Sequence, residues 1–127
     1  MSKIAVDLFE HRSAGRKVSA GYVVDGSAKS WANLNGSGTI ALRDSLNISS
    51  VVDNGVGIYF FSFATAFAAA DYSFTAACGW PGSQNGFVSL SSSPAVTVTG
   101  IGLLSLYAHG NLFDPTYLTL CTHGELA

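Results

Sequence analysis

Asp53-Asn54-Gly55-Val56-Gly57-Ile58-Tyr59-Phe60-Phe61-Ser62-Phe63 is the stretch whose reading decides the fold. Asn and Gly supply the positive φ of a tight hairpin, so Asp53-Asn54-Gly55 reads as a turn and Val56 to Phe63 as the strand returning from it. In a two-residue repeat Val56, Ile58 and Phe60 point one way and Tyr59, Phe61 and Phe63 the other, so neither face is polar. Such a strand needs cover on both sides. The rest of a small β-sandwich supplies one cover. A second copy of the chain is the expected source of the other, because 127 residues leave little material to hide a second apolar face. Tyr59, Phe61 and Phe63 are the residues expected at that subunit contact.

Strand signals surround this stretch. Ser30 to Leu34 is a short strand, and Thr39 to Leu46 alternates, with Ile40, Leu42 and Leu46 on one side and Thr39, Ala41, Arg43 and Ser45 on the other. Ile48 to Asp53 runs into the turn. Beyond it, Ala64 to Asp71 is Ala-rich but too short for a stable helix and reads as a loop. Tyr72 to Cys78, Phe87 to Leu90, Ala95 to Thr99, Ile101 to Tyr107 and Tyr117 to Thr122 are further strands, with Leu118 and Leu120 inward. Gly79-Trp80-Pro81-Gly82-Ser83-Gln84-Asn85-Gly86 has the composition of an exposed loop. Many short strands with turn signals between them predict an all-β antiparallel β-sandwich, jelly-roll-like, over residues 30–127. Residues 1–29 read as an N-terminal arm that leaves the domain, with Ile4 to Phe9 and Gly21 to Val24 as short extended stretches.

Composition narrows the function classes. Charged residues make up only 11% while 48% are hydrophobic, which is too apolar for disorder, and 14 glycines break up long helices. A net charge of −2 provides no basic stripe for phosphates, so no nucleic-acid partner is expected. All six Lys and Arg lie between Lys3 and Arg43, and the cluster His11, Arg12, Arg16 and Lys17 reads as a solvated loop. No apolar run reaches membrane-spanning length, and Ile4 to Phe9, interrupted by Asp7, is too short for a signal peptide. The expectation is a chain made in a cytoplasm, without membrane insertion, whose Cys78 and Cys121 stay reduced and buried.

The same residues carry a resemblance. Ser30-Trp31-Ala32-Asn33-Leu34-Asn35-Gly36, then Gly38 to Ser50, then Asp53-Asn54-Gly55-Val56-Gly57-Ile58-Tyr59 and Phe63-Ala64-Thr65-Ala66 resemble the C-terminal module of tail-fibre and related receptor-binding proteins of tailed bacteriophages. The family pattern is a tryptophan-led strand, an Asn-Gly turn, an "R-S-N-V-S-S" strand end and an "N-G-x-G-x-Y" hairpin. Asp114-Pro115-Thr116-Tyr117-Leu118-Thr119-Leu120 resembles its last strand, so the match covers about residues 30–121. The resemblance implies a β-rich module at the free end of a homotrimeric fibre that recognises the bacterial surface. With some thirty residues ahead of the module in place of a long shaft, the expected form is a small fibre or knob. Its arm would join it directly to other virion proteins.

Chemistry-bearing constellations are sparse. The three histidines, His11, His109 and His123, belong to no hydrolase elbow, phosphate loop or zinc-protease motif, so no enzyme is expected. Cys121 and His123 point the same way from one strand, with Cys78 or His109 as conceivable partners, but the close ligand spacing zinc favours is absent. No metal and no cofactor are expected. For a glycan, exposed aromatics beside short polar side chains are the natural contacts, since sugars offer apolar ring faces and hydroxyls. Trp80 with Gln84 and Asn85, and Tyr107 with His109 and Asn111, fit that description, whereas Trp31 reads as packing. The rival reading is a capsid or tail decoration, or head-fibre protein, with a purely structural role.

Overall fold

The computed structural model describes residues 2–10, 14–82 and 84–127, Gln84 and Asn85 by their backbone alone. The chain order is β1 (Leu8–Glu10), β2 (Lys17–Ser19), α1 (Ala20–Gly26), β3 (Ser30–Asn35), β4 (Ala41–Leu46), β5 (Ile48–Asp53), β6 (Ile58–Phe63), β7 (Ser73–Trp80), β8 (Gln84–Leu90), β9 (Gly100–Tyr107) and β10 (Tyr117–His123). Strands β3 to β10 form one antiparallel ladder in the order β4-β3-β10-β7-β8-β9-β6-β5, and β1 pairs only with β2. Strands β7 and β8 share just the positions Gly79↔Asn85 and Trp80↔Gln84 before they diverge. The ladder therefore falls into two groups, β4-β3-β10-β7 and β8-β9-β6-β5.

Each group has one side that faces the core. Ser30, Ala32 and Leu34 of β3 and Leu118, Leu120 and Thr122 of β10 are buried in register, as are Tyr59, Phe61 and Phe63 of β6 opposite Ile101 and Leu103 of β9. The apolar members of these sets form one cluster with Phe67 and Tyr72. Alternation along the strands produces this, because a period of two sends every second side chain inward. The two hydroxyls in the set pair with each other, Ser30 Oγ lying 2.5 Å from Thr122 Oγ1, so burying them leaves no polar group unmatched.

The chain passes between the groups four times, at β4–β5, β6–β7, β7–β8 and β9–β10. Between β4 and β5, Asn47 adopts φ +54°, a left-handed conformation that Asn tolerates better than bulkier residues. Its side chain is fixed on both sides by Thr65, accepting from the Thr65 N–H at 2.7 Å and donating to its carbonyl at 3.1 Å. The β7–β8 crossing is a hairpin whose two arms stay paired. Residues 79–86, expected as an exposed loop, are thus mostly strand: paired backbone extends to Trp80 on one arm and begins again at Gln84 on the other.

Other expectations are corrected. Ala95 to Thr99 alternates in sequence but is a turn closed by a Thr97↔Gly100 bridge, because this segment lies back over β9: the Pro94 carbonyl occupies the space a side chain at Gly102 would need. Strand β4, expected to be half-buried, is exposed along most of its length, because it is an edge strand with a register irregularity opposite Asn33 and Leu34. Gly21 to Val24 is helical rather than extended. Ser19 Oγ accepts from the Tyr22 N–H, while Ser27 Oγ and Lys29 Nζ both donate to the Val24 carbonyl, so both ends of this short helix are capped. Ala64 to Asp71 is irregular, as expected.

Among the described residues of the arm up to Ser27, none is buried, and α1 leaves Tyr22, Val23 and Val24 exposed. The basic residues His11 and Arg12 lie outside the described residues. Lys17 makes an exposed ion pair with Glu10 at 3.6 Å.

Candidate functional site

The antiparallel order gives the body two poles. At one, β3 begins beside the end of β10, the Lys29 N–H donates to the Thr122 carbonyl at 2.8 Å, and the arm departs. The aromatic cluster Phe63, Phe67 and Tyr72 fills this pole, with ring centroids 4.3–5.5 Å apart. The connections β3–β4, β5–β6, β7–β8 and β9–β10 gather at the opposite pole.

Asp114 ties these distal connections together. Its Oδ1 accepts from the Gly57 N–H at 2.7 Å and from the Tyr59 hydroxyl at 2.9 Å, and that hydroxyl also lies 3.1 Å from the Gly36 carbonyl oxygen. Gly36 in turn donates its N–H to the Pro115 carbonyl. Ser105 Oγ donates to the Phe113 carbonyl at 2.7 Å. Two glycines are required by this packing. A Cβ on Gly57, whose φ is +67°, would sit 2.8 Å from the carbonyl oxygens of Phe113 and Ser105, and one on Gly36 would meet the Tyr59 hydroxyl. Burial, and then the hydrogen bond to Asp114, push the Tyr59 phenol well above the usual tyrosine range. It stays protonated and keeps donating.

The candidate binding residues lie at this same pole. Tyr107, at the end of β9, stacks on Phe113 with centroids 4.1 Å apart and on His109 at 5.7 Å. Its N–H donates to the Asn111 carbonyl and its own carbonyl accepts from the Gly110 N–H, so residues 107–111 form a tight turn with His109 and Asn111 exposed. Beneath the turn, Phe113 packs against Gly86, where a Cβ would come within 2.8 Å of the ring. Gly86 pairs with Tyr107, and the adjoining β7–β8 hairpin carries Trp80, 45% exposed. The two groups that were separate in the sequence therefore share one end of the molecule. The side chains of Gln84 and Asn85 lie outside the described residues.

No family model, curated protein or solved structure matches the chain.

Tyr59, Phe61 and Phe63 require a correction. They are 0%, 0% and 7% exposed in a single chain, covered by the chain's own β3, β9 and β10, so they do not present a surface to another copy. Their hairpin register turns them inward, where the Tyr59 hydroxyl finds Asp114. The other face of β6, Ile58 and Phe60, is outward and partly covered by the segment around Pro94, which lies over Gly102 opposite Phe60. Across the ladder it lies beside Val52, Leu104, Leu106 and Phe87, with Val52 and Phe87 about half exposed. The sequence had established that both faces are apolar but not which one the chain itself would cover.

Two further carboxylates hold backbone beside them. Asp53 Oδ1 accepts from the Gly55 N–H in the hairpin turn, and Asp44 Oδ1 accepts from the Ser45 N–H. Cys78 and Cys121 are free and only half-buried. Cys78 packs on the core side, where burial raises its thiol pKa, while Cys121, opposite Trp31 and Thr75, faces outward. Among the described residues no three His, Cys, Asp or Glu side chains converge as metal ligands, and no helix is long and apolar enough to cross a membrane.

Proposed function

We propose that this chain is a non-enzymatic bacteriophage virion component, a tail fibre or fibre-tip knob whose distal loops bind the bacterial cell surface, through a glycan. One observation carries the reading: the molecule is polar end to end. An arm with uncovered apolar side chains leaves one pole, and a locked set of loops rimmed by Trp80, Tyr107 and His109 occupies the other. That is the layout an adhesin needs, with attachment at one end and contact at the other. The resemblance supports it in a physical way, since the "N-G-x-G-x-Y" hairpin and the Asp114-Pro115-Thr116-Tyr117 segment are the two sides of the Tyr59–Asp114 hydrogen bond.

We read the two strand groups as the layers of a β-sandwich and the assembly as a homotrimer. The outward positions of β5, β6, β8 and β9 include Val52, Ile58, Phe60, Leu104, Leu106 and Phe87. None of the described side chains on that face is charged. A solvated antiparallel sheet face normally alternates to polar residues, so an uncharged apolar face fits a second copy of the chain. Three weak loop sites held together in this way gain avidity without any new contact.

The arm also supports a purely structural decoration of capsid or tail, since exposed Ile4, Tyr22 and Val24 suit attachment whether or not a host is recognised. Removal of residues 1–27 is expected to release the protein from particles under both readings. Purified protein separates them. Under the adhesin reading it binds host cells, and Trp80→Ala or Tyr107→Ala weakens that binding by about tenfold or more, as loss of a stacking aromatic does. No binding by the intact protein would leave the decoration.

A further inference from the structure

Arg43 is the only cation in residues 30–127, a stretch that also holds Asp44, Asp53, Asp71, Asp114 and Glu125. Its position is set by the irregularity in β4: Asn33 pairs with Asp44 and Leu34 with Leu42, so Arg43 falls between paired positions. A bulge of this kind re-aims a side chain. Here it sends the guanidinium across the outer face of the β4-β3-β10-β7 group, 4.4 Å over the ring of Tyr117. Nη1 donates to the Leu34 carbonyl and to Asn33 Oδ1, both at 3.1 Å, and Nη2 reaches Asn35 Oδ1 at 3.4 Å.

These contacts occupy one side of the guanidinium and leave the other. Nε–H and the second Nη2 hydrogen meet no acceptor among the described residues, and neither does Asn33 Nδ2 once its oxygen has accepted from Arg43. Asp44, the acid on the same face, takes the Ser45 N–H and forms no ion pair with Arg43. What remains is a set of donors that the neighbouring Asp44 carboxylate, opposite Asn33, does not take up, on a side chain already immobilised by three acceptors and a ring. An arginine fork of this kind matches the two oxygens of a carboxylate. The surroundings are an open strand surface on which Thr119 lies beside Asn33, with Asn35 on one side and Trp31, Ala77, Cys121 and Thr75 on the other, which suits an extended sugar chain with both apolar ring faces and hydroxyls better than an enclosed small molecule.

We propose that Arg43, with Asn33 and Tyr117, is a binding site for the carboxylate of an acidic glycan, a uronic-acid unit, on the side of the body rather than at its distal loops. The proposal rests on the glycan reading above but not on the loop residues. Because the rest of the body is acidic, the site's affinity depends on this one cation and falls with salt.

The test is a titration of the intact protein, followed by NMR at the Arg43 Nε–H and the Tyr117 ring. The probes are a uronic-acid-containing oligosaccharide, the same oligosaccharide with its carboxyls reduced, and inorganic phosphate. Only the first is expected to shift both signals. Arg43→Lys is expected to weaken binding by about tenfold, the loss of one charge-assisted hydrogen bond. Asn33→Asp keeps the strap on Arg43 but fills it with a carboxylate of the protein's own, and should abolish binding without lowering the unfolding midpoint. Trp80→Ala should leave this binding unchanged even if it abolishes cell attachment, so the two sites fail separately. Equal binding of the carboxyl-reduced oligosaccharide, equal binding of phosphate, no binding of the acidic probe, or unaltered binding by Asn33→Asp would each overturn the assignment.

Discussion

The Tyr59 hydroxyl lies 2.9 Å from Asp114 Oδ1, a contact between residues 55 apart in the chain that joins the β5–β6 hairpin to the β9–β10 connection. The same oxygen accepts from the Gly57 N–H, so one carboxylate holds a strand and its turn at once. Tyr107 and His109 of the candidate binding rim belong to the connection that carries this carboxylate, while Trp80 is on the neighbouring β7–β8 hairpin, against which Phe113 packs at Gly86.

Asp114→Ala leaves the Gly57 N–H without its acceptor and the Tyr59 hydroxyl with the Gly36 carbonyl alone, and is expected to cost about 2 kcal/mol in denaturant unfolding, whereas Tyr59→Phe costs about 1 kcal/mol, because Asp114 retains Gly57. A double-mutant cycle should give a coupling of at least about 0.5 kcal/mol. Strictly additive effects would mean that the bond contributes nothing.

Gly57 and Gly38 separate conformation from packing. Both have left-handed φ, +67° and +68°, but a side chain at Gly38 meets nothing within 4 Å while one at Gly57 strikes backbone oxygens. Gly38→Ala should cost about 1–2 kcal/mol, the strain of that conformation alone. Gly57→Ala should cost clearly more, read as a larger drop in the urea midpoint. Equal midpoints would contradict the tight packing of the β5–β6 turn against Phe113.

Stability should fall in alkali. Burial pushes the Tyr72 phenol up to about 12, and Tyr59 is raised as well, while tyrosines in the unfolded chain ionise near the ordinary value of about 10. Between these values the unfolded chain has released protons that the folded chain retains, so unfolding becomes easier as pH rises. The contribution is complete below about pH 10 and is lost as pH climbs through the folded values. Urea midpoints measured from about pH 8 to about pH 11.5 should decline above pH 10, and the decline should be shallower in Tyr72→Phe. A flat profile would show that these hydroxyls ionise as freely folded as unfolded.

Phe61 and Phe87 should behave oppositely. Phe61 is fully buried, so Phe61→Ala is expected to cost about 3–5 kcal/mol of folding stability. Phe87 is 47% exposed on the outward apolar face, so Phe87→Glu should leave the fold within about 0.5 kcal/mol but shift sedimentation from trimer to single chain. A wild-type chain that sediments as a folded monomer at micromolar concentration would remove the trimer.

Much of the body was legible because its strands obey a local rule. Short β-prone runs between turn signals marked β3, β5, β6, β9 and β10, and the period of two turned Leu118 and Leu120 inward. The same rule failed where tertiary contacts outweighed it. Ala95 to Thr99 alternates yet is held as a turn over glycines of β9, and Gly21 to Val24 is helical because Ser19, Ser27 and Lys29 cap it. Trp80 and Tyr107 read as separate loop aromatics, since nothing local reveals that Gly86 brings their connections side by side. Asp114 was quoted only as part of a motif. Its role depends on a partner more than fifty residues away, and Arg43 became a candidate only once the register of β4 against β3 was known.

By itself the sequence determined that the chain is β-rich, that the strand read as Val56 to Phe63 is apolar on both faces, and that its turn is built on glycine; the strand starts at Ile58, and the positive φ falls at Gly55 and Gly57 and not at Asn54. These follow from side-chain period and backbone sterics, which act over a few residues. Only the tertiary structure decided that Tyr59, Phe61 and Phe63 face inward and Ile58 and Phe60 outward. The choice depends on which distant strands supply cover and on where a buried hydroxyl finds its acceptor, and neither is encoded within reach of the strand itself.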